Sequence, residues 1–171
     1  MAILKILKVG HPLLAQKASP VEDINQEIVD LARDMVETMY QAPGVGLAAP
    51  QVNKGIRLIT VDLSVGENKD ELFVLINPEI VEESGKTMAE EGCLSVPGIY
   101  EKLERPERVV VKGYDLKGRE ITIEARDLLA RAFAHEIDHL EGRLFIDRLS
   151  PLKKSLIKNR LKKEQEKVTT R

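Results

Sequence analysis

A chain of 171 residues, 43% hydrophobic and 32% charged, has the size of one domain with a sizeable core. It contains no apolar run near the roughly 18 residues needed to cross a membrane, and its single cysteine excludes a disulfide scaffold. The net charge of −2 hides an asymmetry, because residues 151–171 hold eight Lys/Arg against two Glu, a net of +6, and the other 150 residues carry −8. The N-terminus alternates Ile/Leu with Lys and has neither signal-peptide order nor transit-peptide composition, so a cytoplasmic protein is expected.

In chain order, Asp23 with Gln26 reads as a capping box, and Ile24, Ile28, Leu31, Met35 and Met39 follow helical spacing. That helix runs to Gln41, where Ala42-Pro43-Gly44 breaks it. Ile56 to Leu63 and Leu72 to Val81 read as strands, with a polar loop between them. Ser84-Gly85-Lys86 is a turn. Val109 to Tyr114 and Glu120 to Glu124 form a hairpin around Leu116-Lys117-Gly118. A helix from Ala125 to Glu141 follows, with Gly142 as its C′ residue. A last helix starts with Ser150 as cap and Pro151 at N1. The expected fold is α+β, with antiparallel strands packed around a central metal-binding helix and a C-terminal helix. Residues 1–150 are expected to form the main domain and residues 151–171 a basic helical extension.

The strongest signal lies on the central helix. Two of the three histidines occur in His135-Glu136-Ile137-Asp138-His139. Residues four apart share a helix face, so both imidazoles can reach one ion. Glu136 sits about 100° round the helix, within reach of a metal-bound water. Leu128, Ala132, His135 and His139 form one stripe, which places the ion beside an apolar pocket. A catalytic site of this kind takes a third protein ligand and leaves a position for water. No histidine follows His139, and Glu141 faces elsewhere. Cys93, in Glu91-Gly92-Cys93-Leu94-Ser95, is then either that ligand or a buried thiol. A third string, Gly44-Val45-Gly46-Leu47-Ala48-Ala49-Pro50-Gln51, reads as a structural turn or as a close backbone approach to a ligand, with the Gln51 amide free to meet an oxyanion.

Together and in this order, GVGLAAPQ, EGCLS and HEIDH closely resemble the motifs of the peptide deformylases, and flanking text such as Ile76-Asn77-Pro78 and Val96-Pro97-Gly98 agrees. The resemblance covers residues 2 to 150. It implies that Cys93, His135 and His139 bind Fe²⁺, with Zn²⁺, Ni²⁺ or Co²⁺ as substitutes. It implies Glu136 as general acid/base, and the Gln51 side chain and Leu94 N–H as donors to a formyl oxygen. Val45, Gly46 and Gly92 would pair with an extended N-formylmethionyl peptide. Val45, Leu128, Arg131 and Ala132 would line the methionine pocket, Arg131 through its aliphatic stem.

Three further residues bear on the site. His11 reads as a surface histidine, and Tyr100 stands at the pocket rim where the family more often has Gly or Arg. Asp138 either supports a ligand histidine or faces out from its own helix. The alternative activity is a zincin-like metallopeptidase, which the upstream cysteine and the lack of a downstream third ligand disfavour. The basic extension reads either as a frayed charged helix or as a contact with something anionic, such as the ribosome.

Overall fold

The computed structural model describes residues 2–169, so positions 1, 170 and 171 of the expected domains lie outside the described residues. Among the described residues, seven strands form two sheets, accompanied by three α-helices. They are β1 (Gly46–Ala48), β2 (Leu58–Val61), β3 (Phe73–Ser84), β4 (Thr87–Cys93), β5 (Val96–Arg105), β6 (Arg108–Tyr114) and β7 (Glu120–Arg126). The helices are α1 (Gln26–Gln41), α2 (Asp127–Leu140) and α3 (Pro151–Thr169). The larger sheet has the order β1-β2-β3-β6-β7, antiparallel throughout, and β4 pairs with β5 in a separate hairpin. The expected α+β architecture is present. No helix among the described residues is long and apolar enough to cross a membrane.

The two helices α1 and α2 cover opposite faces of the larger sheet. Side chains alternate along a strand, and every residue of β2 is buried. Leu58 joins Ala32, Met35 and Met39 of α1. Its neighbour Ile59 joins Phe133, Ile137 and Leu140 of α2. A third cluster joins Val96, Ile99 and Leu103 of β5 to Phe145, Ile146 and Ile157, the last from α3. The extension is thus seated on the body of the protein through Ile157, and Lys154 adds an ion pair to Asp147 at 2.6 Å.

Local chemistry moves several expected boundaries. Asn25, not Asp23, caps α1, its side chain accepting from the Ile28 N–H at 3.1 Å. Gln26 reaches forward to Asp30 instead of back to a cap, so no capping box forms. Strands β1, β4 and β5 were not expected. Strand β7 keeps pairing through Ala125 and Arg126, opposite Val109 and Arg108, so α2 opens two residues later than the spacing predicts. Asp127 makes that junction with a left-handed φ of 54°, its N–H bonded to the Glu107 carbonyl at 2.8 Å. Ser150 does cap α3, accepting from the Lys153 N–H.

Gly142 ends α2 as expected. Its N–H meets the His139 carbonyl and the Arg143 N–H meets the Asp138 carbonyl, the paired bonds of a Schellman motif. Its φ is +77°, and a Cβ there would lie 2.8 Å from Ala15 backbone atoms. Gly142→Ala is therefore expected to destabilise the protein by about 1–3 kcal/mol from backbone conformation alone, with the collision adding to it. Denaturant unfolding at constant metal load measures this.

Candidate metal centre

Helix α2 supplies two imidazoles on one face, with ring centroids 5.1 Å apart. The end of β4 brings the thiol, with Cys93 Sγ 3.5 Å from His139 Nε2. One ligand atom from each of Cys93, His135 and His139 lies within 4.8 Å of the other two, which makes this a metal-binding triad. The third ligand is thus the upstream cysteine, one of the two readings its position allowed.

The electrostatics fit a cation. Burial pushes the Cys93 thiol up, but His139 and His135 outweigh it and hold the thiol well below its ordinary range. Burial opposes charge on His135, yet Glu136, Cys93 and Glu91 outweigh it and raise its affinity for a proton. Carboxylate and thiolate groups gathered around buried imidazoles also attract a divalent ion. Burial raises the Glu136 carboxyl above its ordinary value. Glu136 Oε1 and His139 Nδ1 are the buried side-chain polar atoms without a hydrogen-bond partner among the described residues. An unpartnered carboxylate oxygen beside the triad suits contact with a water on a bound ion.

Behind the ligands lies a charged cluster that the sequence spacing did not reveal. Glu91 Oε1 lies 2.9 Å from His135 Nδ1, leaving Nε2 for the ion. Arg105 grips the Glu91 carboxylate with two bonds, at 2.8 and 2.9 Å, and Arg131 adds a third at 2.6 Å. Asp138 is buried and does not face out from its helix. It takes Arg105 at 2.6 Å and Arg148 at 2.6 and 2.7 Å, so any support it gives the histidine runs through Arg105 and Glu91. Phe145 stacks against the His135 ring at a centroid distance of 6.1 Å.

Every residue expected at the site except the deeper His139 lines one cavity of about 570 Å³. Gln51 is buried, its Oε1 accepting from the Ala48 N–H at 2.9 Å, while its Nε2 donates to Ser95 Oγ at 3.1 Å and faces Cys93 Sγ at 3.6 Å. Gly46 is required by Glu136, because a Cβ at position 46 would collide with that carboxylate. At Gly92 a Cβ would meet the Tyr100 ring at 2.6 Å, so Tyr100 lies over this glycine at the cavity mouth. Leu128 is exposed at the same mouth, and Ala132 is buried deeper along the stripe. The Arg131 guanidinium is committed to Glu91 and to the carbonyls of Thr87, Ala89 and Leu103. His11 is exposed, as expected, and accepts from the Leu13 N–H.

Comparison with known proteins decides the family. The profile for polypeptide deformylase matches residues 3–155. The chain belongs to the polypeptide deformylase family. It is 53% identical to the peptide deformylase of Thermodesulfovibrio yellowstonii, over 95% of this chain and 98% of that one. It is 50% identical to that of Syntrophobacter fumaroxidans, over 99% of both. Among solved structures, the deformylase of Legionella pneumophila superposes with a TM-score of 0.91 at 44% identity, covering 99% of each chain. That of Ehrlichia chaffeensis in complex with actinonin gives 0.88 at 37% identity, over 96% of this chain and 98% of that one. Members of this family are metal-dependent hydrolases that remove N-formyl groups from nascent peptides, and the zincin-like alternative is set aside.

The carboxylate of Glu91 carries a concrete expectation. Burial pushes its carboxyl up, but His135 and Arg105 outweigh burial and lower it from 4.5 to about 2. A depressed carboxyl contributes stability above its ordinary value and loses it as pH falls from 4.5 towards about 2. Glu91→Gln removes that pH dependence. It is also expected to weaken metal binding by roughly 10- to 100-fold, the range for partners that orient a ligand. Competition with a chelator measures the second effect and acid titration of unfolding the first.

Proposed function

We propose that this chain removes the formyl group from the N-terminal formylmethionine of nascent proteins in the cytoplasm, releasing formate, with Fe²⁺ as its physiological ion. The observation that carries the reading is the unpartnered buried oxygen of Glu136 beside the Cys93–His135–His139 triad, at the wall of the cavity. When bound, a divalent ion there supplies Lewis acidity and a water ionisable near neutral pH. Thiolate with two imidazoles suits Fe²⁺ and also Zn²⁺, Ni²⁺ or Co²⁺; the choice of iron comes from the family resemblance.

The chain's own residues then divide the work. Glu136 accepts the proton of the attacking water and returns it to the leaving amine, and its raised proton affinity suits both tasks. As the formyl carbon becomes tetrahedral, its oxygen gains charge. The Leu94 N–H and the Gln51 amide nitrogen, the latter on releasing its bond to Ser95 Oγ, are the donors proposed to meet it. The methionine side chain enters between Val45, Leu128 and Ala132, with the Arg131 stem beside it. Among the described residues, strand β1 pairs with β2 alone and β4 with β5 alone, so each has an edge without a strand partner. An extended peptide added between these edges near Val45, Gly46 and Gly92 gains main-chain hydrogen bonds from both sheets.

Residues 1–150 serve as the catalytic domain and residues 151–171 as a basic extension. Helix α3 exposes Lys158, Lys162 and Lys163, together with Leu152 and Leu156. This face is proposed to meet the ribosome. Replacing the three lysines by glutamine is expected to weaken ribosome co-sedimentation by about tenfold at low salt, because phosphate contacts dominate such affinities. Cleavage of short formyl peptides should be unchanged. Equal co-sedimentation of the variant and the parent contradicts the contact.

The reaction itself is tested by anaerobic purification, metal analysis and formate release from formyl-Met-Ala. Glu136→Ala is expected to keep its metal and lose turnover by about 100- to 10,000-fold, the usual worth of a positioned proton carrier. A variant that retains near-parental turnover removes Glu136 from this role. No formate release with any of the four metals overturns the activity for this chain.

A further inference from the structure

The short turn that follows the cysteine ligand is held from outside its own hairpin. Cys93 faces Val96 across the β4–β5 pair, so Leu94-Ser95 is a two-residue loop. Such loops are ordinarily built with a left-handed residue at one or both central positions, which matches the twist of the strands. Neither Leu94 nor Ser95 has a positive φ, and the β4–β5 register shifts between Glu91 and Cys93, so regular ladder pairing does not run up to this turn. Contacts from outside the hairpin add to what holds it.

Three consecutive residues near the N-terminus provide them. The Lys8 ammonium donates to the Leu94 carbonyl at 2.9 Å. The Val9 N–H donates to the Ser95 carbonyl at 2.8 Å, and the Leu7 N–H to the Gln51 carbonyl at 2.7 Å. This strap thus ties together the two strings that bear Gln51 and Leu94. It is itself anchored. The Leu4 N–H donates to Thr38 Oγ1 of α1 at 2.8 Å, Leu4 and Ile6 pack on the α1 cluster, and Val9 packs on the β5 cluster. Lys8 is exposed at the edge of the catalytic cavity, and its ammonium meets the Leu94 carbonyl and no acidic group among the described residues.

We propose that Lys8 is a positioning residue of the deformylation reaction: with the Leu7 and Val9 N–H groups it sets the Leu94–Ser95 turn so that the Leu94 N–H faces the substrate. Its catalytic consequence rests on the reading of Leu94 as a donor to the formyl oxygen. Lys8 touches neither substrate nor ion in this scheme and acts through the turn.

The test compares the metal-loaded parent with Lys8→Met, Lys8→Arg and, as a control on the same segment, Lys5→Met. Hydrogen exchange of the segment 92–98 reads the turn directly, and formate release from formyl-Met-Ala gives kcat and KM separately. Lys8→Met is expected to exchange several-fold faster across 92–98 and to lose about tenfold in kcat, part of the roughly 100- to 1,000-fold that a whole oxyanion donor supplies. KM and metal content should stay within about twofold, as expected when an interaction made only in the transition state is weakened. Lys8→Arg, which keeps a donor, restores both exchange and kcat. Unchanged exchange in Lys8→Met overturns the brace whatever Leu94 does. Faster exchange with parental kcat removes Lys8 from the reaction and points to the assignment of Leu94 as the error. An equal loss in Lys5→Met overturns the proposal by making the effect one of general charge.

Discussion

Burying Glu91, Asp138, Arg105 and Arg131 behind a metal triad removes four charges from water, and this constraint organises the rest of the molecule. Isolated, each group would cost several kcal/mol of lost solvation. Here each guanidinium bonds more than one acceptor and each carboxylate takes more than one cation. The set must be assembled whole, because a missing member strands its partners in a medium of low dielectric. Its members come from β4, β5 and α2, and Arg148 from the segment before α3 joins them at Asp138, so the elements around the metal are fastened by one polar lock. The lock also fixes the His135 ring through Glu91, while Phe145 limits the ring's movement from another side.

The apolar core performs the complementary task of holding α2 still. Phe133, Ile137 and Leu140 press into the larger sheet while His135, Glu136 and His139 point towards β4 and the cavity. Ligands on a rigid helix hold their geometry better than ligands on a loop. The cysteine, by contrast, sits at the end of a strand beside a turn that outside contacts help to hold. The triad thus joins one stiff partner to one that is braced. Gly46 completes the arrangement by leaving room for the Glu136 carboxylate.

The triad was legible because spacing on a helix is a direct statement about space, and the lone cysteine narrowed the search for a third ligand. The main helices and most strands of the larger sheet were legible from apolar periodicity. The hairpin β4–β5 was not. Its inward positions include Glu91 and Arg105, two charged residues where alternation would show apolar ones, so the pattern that announces a strand is broken by the polar lock itself. The cap of α1 was misread because Asp23 and Asn25 are both good cap residues, and only the bond from the Ile28 N–H to the Asn25 side chain decides between them. Lys8 gave no signal, since its partner lies 86 positions away.

The junction at Asp127 joins strand to helix with no spacer, and this sets how the protein can change length. Adding or deleting one residue there turns α2 by about 100° relative to the sheet. Both imidazoles would then swing away from Cys93 together, and the Schellman bonds at the far end of α2 would face a different part of the chain. The polar loop between β2 and β3 carries no such gearing and can lengthen without touching the metal. The joint thus works as a fixed phase reference for the whole catalytic helix.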